Sequence, residues 1–274
     1  MIFPIPSRHH LQSVREFLLF YHLGKSHIYQ LEQANALYIN GESVKTSDIL
    51  KQGDELLILF ENIDETTHEA KYFPLDILWE DRDYLLVNKP GNLLVHSDGK
   101  GISLSHYVAA HYHDAAIVTR CLHRLDVETT GMVLFSKHLL AHAAMAYAFE
   151  QQSIEKEYVA LCEGKFNVLD GVIDQPIGRN RHDQSQIISK TGKSAHTEYH
   201  VVSYRLGVSR VKVKITGGRR HQIRVHLASL THPVVGDELY GAKTKGALKL
   251  HFETITFIHP FTQKTLTFHC DPPW

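Results

Sequence analysis

The sequence predicts an α+β protein in which a large, mainly antiparallel mixed-sheet domain follows a small α+β unit. Three observations predict it. From residue 75 onward, apolar runs of strand length recur with few helical stretches between them. One of these runs, 209–216, alternates strictly: Val211, Val213 and Ile215 would face a core while Lys212 and Lys214 point outward. The first 60 residues, finally, carry helix and hairpin signals of their own and then give way to a polar, unpatterned stretch. The expected division is a module over 1–62, a linker over 63–74 and the main domain over 75–274.

Helical spacing runs through 12–31, with Val14, Phe17, Leu18, Tyr21, Ile28 and Leu31 on the apolar face. It is broken at Leu23-Gly24-Lys25-Ser26, where Ser26 would cap the second helix. Asn40-Gly41 lies between apolar runs and predicts a tight hairpin. Gly53-Asp54 then turns the chain into a strand over 55–60. In the main domain, 84–89 reads as a strand turned by Pro90-Gly91, and 102–113 as a helix capped near Ser103. A strand at Met132-Val133-Leu134-Phe135 and an alanine-rich helix over 138–152 follow. Further strands are expected over 157–164, 194–204, 209–216 and 266–270.

The chain has 274 residues, 43% apolar and 22% charged, the composition of an ordinary globular protein. It has no apolar run of about 18 residues, which argues against a membrane span, and no secretory leader pattern at its start. A cytoplasmic location is expected. Cys121, Cys162 and Cys270 are odd in number and widely spaced, so neither a disulfide framework nor structural zinc is expected. The 21 histidines show no metal-ligand spacing, and no metal is expected. Glycine-rich fingerprints for nucleotides are missing, so no cofactor is expected either. The net charge of −1 conceals an uneven spread. Residues 1–64 carry five Lys/Arg against eight Asp/Glu, whereas 179–226 carry eleven against two, a net of +9. A basic belt of that strength predicts a polyanionic partner, RNA or DNA.

The most informative stretch is His123-Arg124-Leu125-Asp126-Val127-Glu128-Thr129-Thr130-Gly131. It sets one carboxylate, Asp126, between a basic pair and a hydroxyl-rich turn, immediately before a core strand. A cationic neighbour favours the ionised acid, and a tight turn fixes its aim. The alternative is a turn residue whose surface ion-pair partner is Arg124. Four further segments accompany this one in order: Asn88-Lys89-Pro90-Gly91, Glu155-Lys156-Glu157-Tyr158, Gly217-Gly218-Arg219-Arg220-His221-Gln222-Ile223-Arg224-Val225-His226, and Gly236-Asp237-Glu238-Leu239-Tyr240-Gly241.

Together these motifs resemble the RluA family of pseudouridine synthases over roughly residues 75–270. The first 62 residues resemble the S4 RNA-binding domain, on the order helix, Leu23-Gly24-Lys25-Ser26, helix, Asn40-Gly41, Gly53-Asp54. The resemblance implies an isomerase that flips a uridine out of structured RNA, most simply large-subunit (23S) rRNA, with tRNA as the alternative. It implies Asp126 as the catalytic aspartate, Tyr158 as the ring that stacks on uracil, and Arg224 as the partner of Asp126. Arg124 would fill the gap left by the flipped base. His123, Arg219 and Lys214 complete the expected RNA contacts. Thr130 stands where the family usually has serine, and Arg220 where it has threonine or serine. His221 and His226 read as hydrogen-bonded structural residues, since forming pseudouridine requires no histidine. Lys89 is left outside the catalytic set, and a monomer is the default. Two rivals are weaker. A decayed, non-catalytic assembly factor would not keep Asp126, Tyr158 and Arg224. A nucleoside hydrolase would call for a second acid or a metal to activate water.

Overall fold

The computed structural model describes residues 1–64, 72–97, 101–112, 117–181 and 185–274. In the N-terminal module, helix α1 (Val14–Phe20) opens with a reciprocal cap: Ser13 Oγ accepts from Glu16 N, and Glu16 Oε2 accepts from Ser13 N. Helix α2 (Lys25–Gln33) is capped at Gly24, not at Ser26 as the sequence predicts. The chain turns earlier because His22 takes a left-handed φ of 62° and Leu23 N closes onto Leu18 O at 3.1 Å. A strand that the sequence does not announce, β1 (Ile2–Pro4), starts the module's sheet. It is followed by β2 (Leu37–Ile39), β3 (Glu42–Ser43) and β4 (Glu55–Ile58), in the order β1-β4-β2-β3. Pro4 is tolerated because β1 lies on the edge. The Asn40-Gly41 hairpin joins β2 to β3 with φ of 51° and 89°, the values a primed turn needs.

The main sheet has ten strands. These are β5 (Asp76–Glu80), β6 (Tyr84–Lys89), β7 (Arg120–Cys121), β8 (Thr130–Ser136), β9 (Glu155–Glu163), β10 (Asp170–Asp174), β13 (His196–Arg205), β14 (Val208–Thr216), β15 (Leu250–Ile258) and β16 (Thr265–His269). The order is β10-β13-β14-β9-β15-β8-β6-β5, with β16 beside β15 and β7 beside β8. A separate hairpin pairs β11 (Ile177–Arg179) with β12 (Gln186–Ile188). Helices α3 (Leu104–His111), α4 (Leu139–Glu150) and α5 (Gln222–Ser229) complete the domain. The expected helix over 102–113 begins at 104, after Ser103, and its last residue lies outside the described residues. Every pairing in this sheet is antiparallel except β8 with β15. At that seam Gly131 has φ of 115°, and an added Cβ would lie 2.5 Å from the Phe252 carbonyl oxygen. Only glycine lets β15 approach the strand that follows Asp126 so closely.

Two large apolar cores result, beside a small third cluster of Ile177, Ala195 and Val225. The larger fills the main domain, from Tyr84 and Val133 to Val213 and Phe257. The smaller joins Phe3, Phe17, Leu18, Ile28 and Leu56 of the module to Leu139, Leu140 and Ala144 of α4. Around it, Arg82 Nη1 donates to Ile2 O at 3.1 Å, and His138 Nε2 donates to Asp83 at 3.0 Å while its ring packs on Phe3 and Phe60. Of the expected linker, residues 65–71 lie outside the described residues, and Asp64 is held by both terminal nitrogens of Arg120. No helix among the described residues is long and apolar enough to cross a membrane.

Candidate active site

Asp126 sits in the loop that enters β8, and its backbone is held from below. Thr129 N donates to Asp126 O at 3.1 Å, and Leu93 N to Val127 O at 3.2 Å. Beneath them the fully buried Lys89 donates to Pro90 O, Leu93 O and Val127 O at 2.8, 2.9 and 3.0 Å. One ammonium thus spends its three protons on the two loops that frame Asp126. Burial pulls the Lys89 pKa down to about 8, although the charges of Asp126 and Glu128 resist the fall. Sequence reasoning set Lys89 aside, yet the Asn88-Lys89-Pro90-Gly91 motif was the available signal.

The carboxylate itself faces α5. Arg224 Nη1 lies 3.7 Å from Asp126 Oδ2, and His221 Nε2 lies 3.9 Å from Oδ1. The expectation that Arg224 pairs chiefly with Asp126 needs correction. Its Nε and Nη2 make a bidentate pair with Asp237, both at 2.7 Å, and Nη1 also faces Glu128 at 3.4 Å. Burial works against the guanidinium charge, but hydrogen bonds and charge from Asp237 outweigh it and raise the Arg224 pKa. Gly236, at φ 84° and with no room for a Cβ beside Ala247 O, delivers Asp237 to this place. Tyr240 lies under the same guanidinium, 5.3 Å from its ring centre, and its hydroxyl meets His221 Nδ1 at 2.9 Å. Asp237 and Tyr240 are site residues that sequence reasoning quoted in a motif but gave no role. His226 is held inside the fold, between Thr197 Oγ1 and Gln175 O.

Tyr158 comes from β9. Its ring stacks on Phe252 with centres 4.6 Å apart and 14° between planes. Burial first, and the Asp126 charge second, push its phenol above the ordinary tyrosine range. Tyr158, Asp126, Arg224, Arg124 and Arg219 line one cavity of about 160 Å³. Thr129 also lines it, and its buried hydroxyl has no hydrogen-bond partner among the described residues. Asp126 and Arg124 also border a second, larger cavity, of about 570 Å³.

Two expected RNA contacts lie elsewhere. His123 Nε2 accepts from Leu134 N at 3.1 Å, and its ring stacks on Phe149 and meets Phe252 edge-on. Burial drives its pKa down to about 3, so it serves the packing as a neutral ring instead of offering a charge to phosphate. Lys214 is exposed on β14 outside the cavity, 3.9 Å from Glu157. Its neighbours share their charge with acids from other strands: Lys212 meets Glu157 at 2.9 Å and Glu253 at 3.5 Å, and Arg210 meets Glu253 at 3.6 Å. The belt is therefore weaker on β14 than its count suggests. Arg219 is exposed, and its Nε donates to Ser194 O. The cluster Asp81, Asp83 and His259 has the ligand types for a metal. However, His259 Nδ1 accepts from the backbone N–H groups of Phe261 and Thr262, so Nε2 carries the proton and donates to Asp81 at 2.8 Å.

A family model described as RNA pseudouridylate synthase matches residues 83–229, which span the Asp126 loop, Tyr158 and Arg224. An uncharacterized RNA pseudouridine synthase of Bacillus subtilis, YhcT, is 37% identical over 237 residues, covering 83% of this chain and 78% of the relative. Ribosomal large subunit pseudouridine synthase D of Vibrio parahaemolyticus is 33% identical over 278 residues, covering 93% and 85%. Among solved structures, human RNA pseudouridylate synthase domain containing 1 superposes with a TM-score of 0.64 at 25% identity, covering 76% of this chain and 87% of that one. Motif order, sheet and sequence likeness agree, and the chain belongs to the RNA pseudouridylate synthase family.

Proposed function

We propose that this pseudouridine synthase acts on uridine in large-subunit ribosomal RNA, with Asp126 as the carboxylate that works at the ribose. The observation that carries the reading is the convergence of Asp126, Tyr158 and Arg224 on one cavity. Isomerisation breaks the bond from uracil N1 to ribose C1′, turns the base and forms a bond from C5 to C1′, and the C5 proton then moves to N1. A stacked base offers no room for this, so the uridine must leave its helix. Tyr158, backed by Phe252, supplies a flat face for the detached ring, and Arg124, which lines the same cavity, is read as the residue that fills the vacated stack. Asp126 then attacks C1′ or takes a proton from C2′, and both routes use the ionised form. Arg224, held by Asp237, faces the carboxylate from 3.7 Å. The Thr129 hydroxyl, without a partner among the described residues, is a polar group the base or ribose would satisfy.

The choice of ribosomal RNA rests on the relatives named as large-subunit synthases, and tRNA is the alternative. The module over residues 1–62 is read as an S4-like RNA-binding domain that assists placement. The test is pseudouridine mapping of total RNA. One or more sites in large-subunit rRNA should vanish on deletion and return with the wild-type gene, but not with Asp126→Ala. A site lost only in tRNA would move the substrate. Full rescue by Asp126→Ala would overturn the catalytic assignment.

A further inference from the structure

The loop Gly236-Asp237-Glu238-Leu239-Tyr240-Gly241 does more than anchor Arg224. Tyr240 Oη accepts a hydrogen bond from Gln186 N of β12 at 2.8 Å, and the same oxygen lies 2.9 Å from His221 Nδ1. The direction of the second bond follows from where protons can go. If His221 Nδ1–H donated to Tyr240, the phenol proton would be left without an acceptor among these bonds. The lone pair of Nε2 would also face the Asp126 carboxylate at 3.9 Å. Both conflicts disappear if Tyr240 O–H donates to Nδ1, because neutral imidazole then carries its proton on Nε2. Burial favours that neutral ring, and it keeps the Tyr240 phenol protonated by raising its pKa to about 12. His221 is itself held tightly, as the left-handed residue (φ 55°) that caps α5.

We infer that His221 is a positioning residue whose Nε2–H is aimed at Asp126 Oδ1 by a relay running from the β12 backbone through Tyr240. This rests on the reading of Asp126 as the catalytic carboxylate. Arg224 faces one oxygen and His221 the other, so a small rotation closes either gap to hydrogen-bond length when a uridine enters. Distances near 4 Å before substrate binding are ordinary for such pairs. The relay also makes the β11–β12 hairpin part of the active site, because its amide sets which imidazole nitrogen is protonated.

Three measurements on the full-length protein test this. In the wild type, ¹⁵N NMR of the histidine rings should show His221 as the neutral Nε2–H tautomer. An Nδ1–H tautomer overturns the inference, whatever any variant does. Tyr240→Phe should shift His221 toward a tautomer mixture and slow single-turnover pseudouridine formation by about tenfold, the size of effect seen when a metal-bound histidine loses the partner that orients it. Its RNA affinity and melting temperature should stay near the wild type. An unchanged rate alongside a changed tautomer sinks the positioning role. His221→Gln, which keeps an N–H near the Nε2 position, should retain more activity than His221→Leu at equal RNA affinity, and equal rates for the two count against it. Asp126→Ala run in parallel separates the two readings. If that variant stays active, the catalytic assignment fails; if only the histidine and tyrosine predictions fail, the relay alone is lost.

Discussion

Asp126 is held from two sides by opposite means. On the Lys89 side the protein grips main chain: one buried ammonium binds three carbonyls and fixes where the loop runs. On the α5 side it grips side chains: Asp237 fixes Arg224, Tyr240 meets His221, and both cation and imidazole stop 3.7–3.9 Å short of the carboxylate. The contrast teaches that the loop's position and the acid's electrostatic setting are separate structural tasks. A backbone fastening can be tight without touching reactivity. On the proposed reading the carboxylate must keep room to meet a ribose, which fits partners that are themselves fastened elsewhere.

Damage to the two sides should therefore differ in kind. The largest effect is expected for Asp237→Ala, which strands a buried guanidinium. Urea unfolding should show a loss of about 3–5 kcal/mol, with activity lost as well. A loss below about 1 kcal/mol would mean that Asp126 and Glu128 can take over the pairing, which would merge the two tasks. Next comes the Lys89 side. Between pH 8 and 10.5 the folded protein has released the Lys89 proton while the unfolded chain still holds it, so stability should rise with pH across that window. Relative to Lys89→Met, which lacks the titration, the rise should reach up to about 3 kcal/mol. Parallel curves for the two proteins would show that the ammonium is not desolvated.

His123 gives an acid-side counterpart of comparable size. Its folded pKa of about 3 lies below the ordinary histidine value, so the unfolded chain binds the extra proton and stability falls as pH drops below 6.5. His123→Gln keeps an acceptor for Leu134 N but cannot titrate there. It should flatten the loss between pH 6.5 and 4 by up to about 3 kcal/mol. Least of all, Arg219→Ala and Lys214→Ala should leave folding untouched and act on RNA affinity. Arg219→Ala should reduce the salt slope by about one unit. Lys214→Ala should reduce it less, because Glu157 already shares that charge. Equal slopes in all three proteins would remove the belt from the binding face.

Much of this was legible in sequence where the signal is local. The core helix over α4, the Asn40-Gly41 hairpin, the strand after Asp126 and the alternation of β14 each follow from neighbouring residues. Asp126 was legible as a candidate because its motif combines a turn, a cation and a core strand. What escaped depends on long-range placement. A lysine is ordinarily read as surface, and only the meeting of three carbonyls from two loops makes Lys89 a core residue. His123 looks like half of a basic pair until Phe149 and Phe252 close over it. The link of Arg224 to Asp237 requires the α5 register and the Gly236 turn together, and no spacing rule connects them. Strand β1 was hidden by its proline, Pro4, which is acceptable because the strand is an edge.

The smaller apolar core has a consequence for anyone who would transplant parts of this enzyme. Leu139, Leu140 and Ala144 belong by sequence to the main domain, yet their packing partners are Phe3, Phe17 and Leu18. A shortened chain starting near residue 75 would carry an oily scar along α4. Grafting the first 62 residues onto another protein would require a matching helix at the recipient site. Either cut therefore exposes apolar surface that the other part now covers.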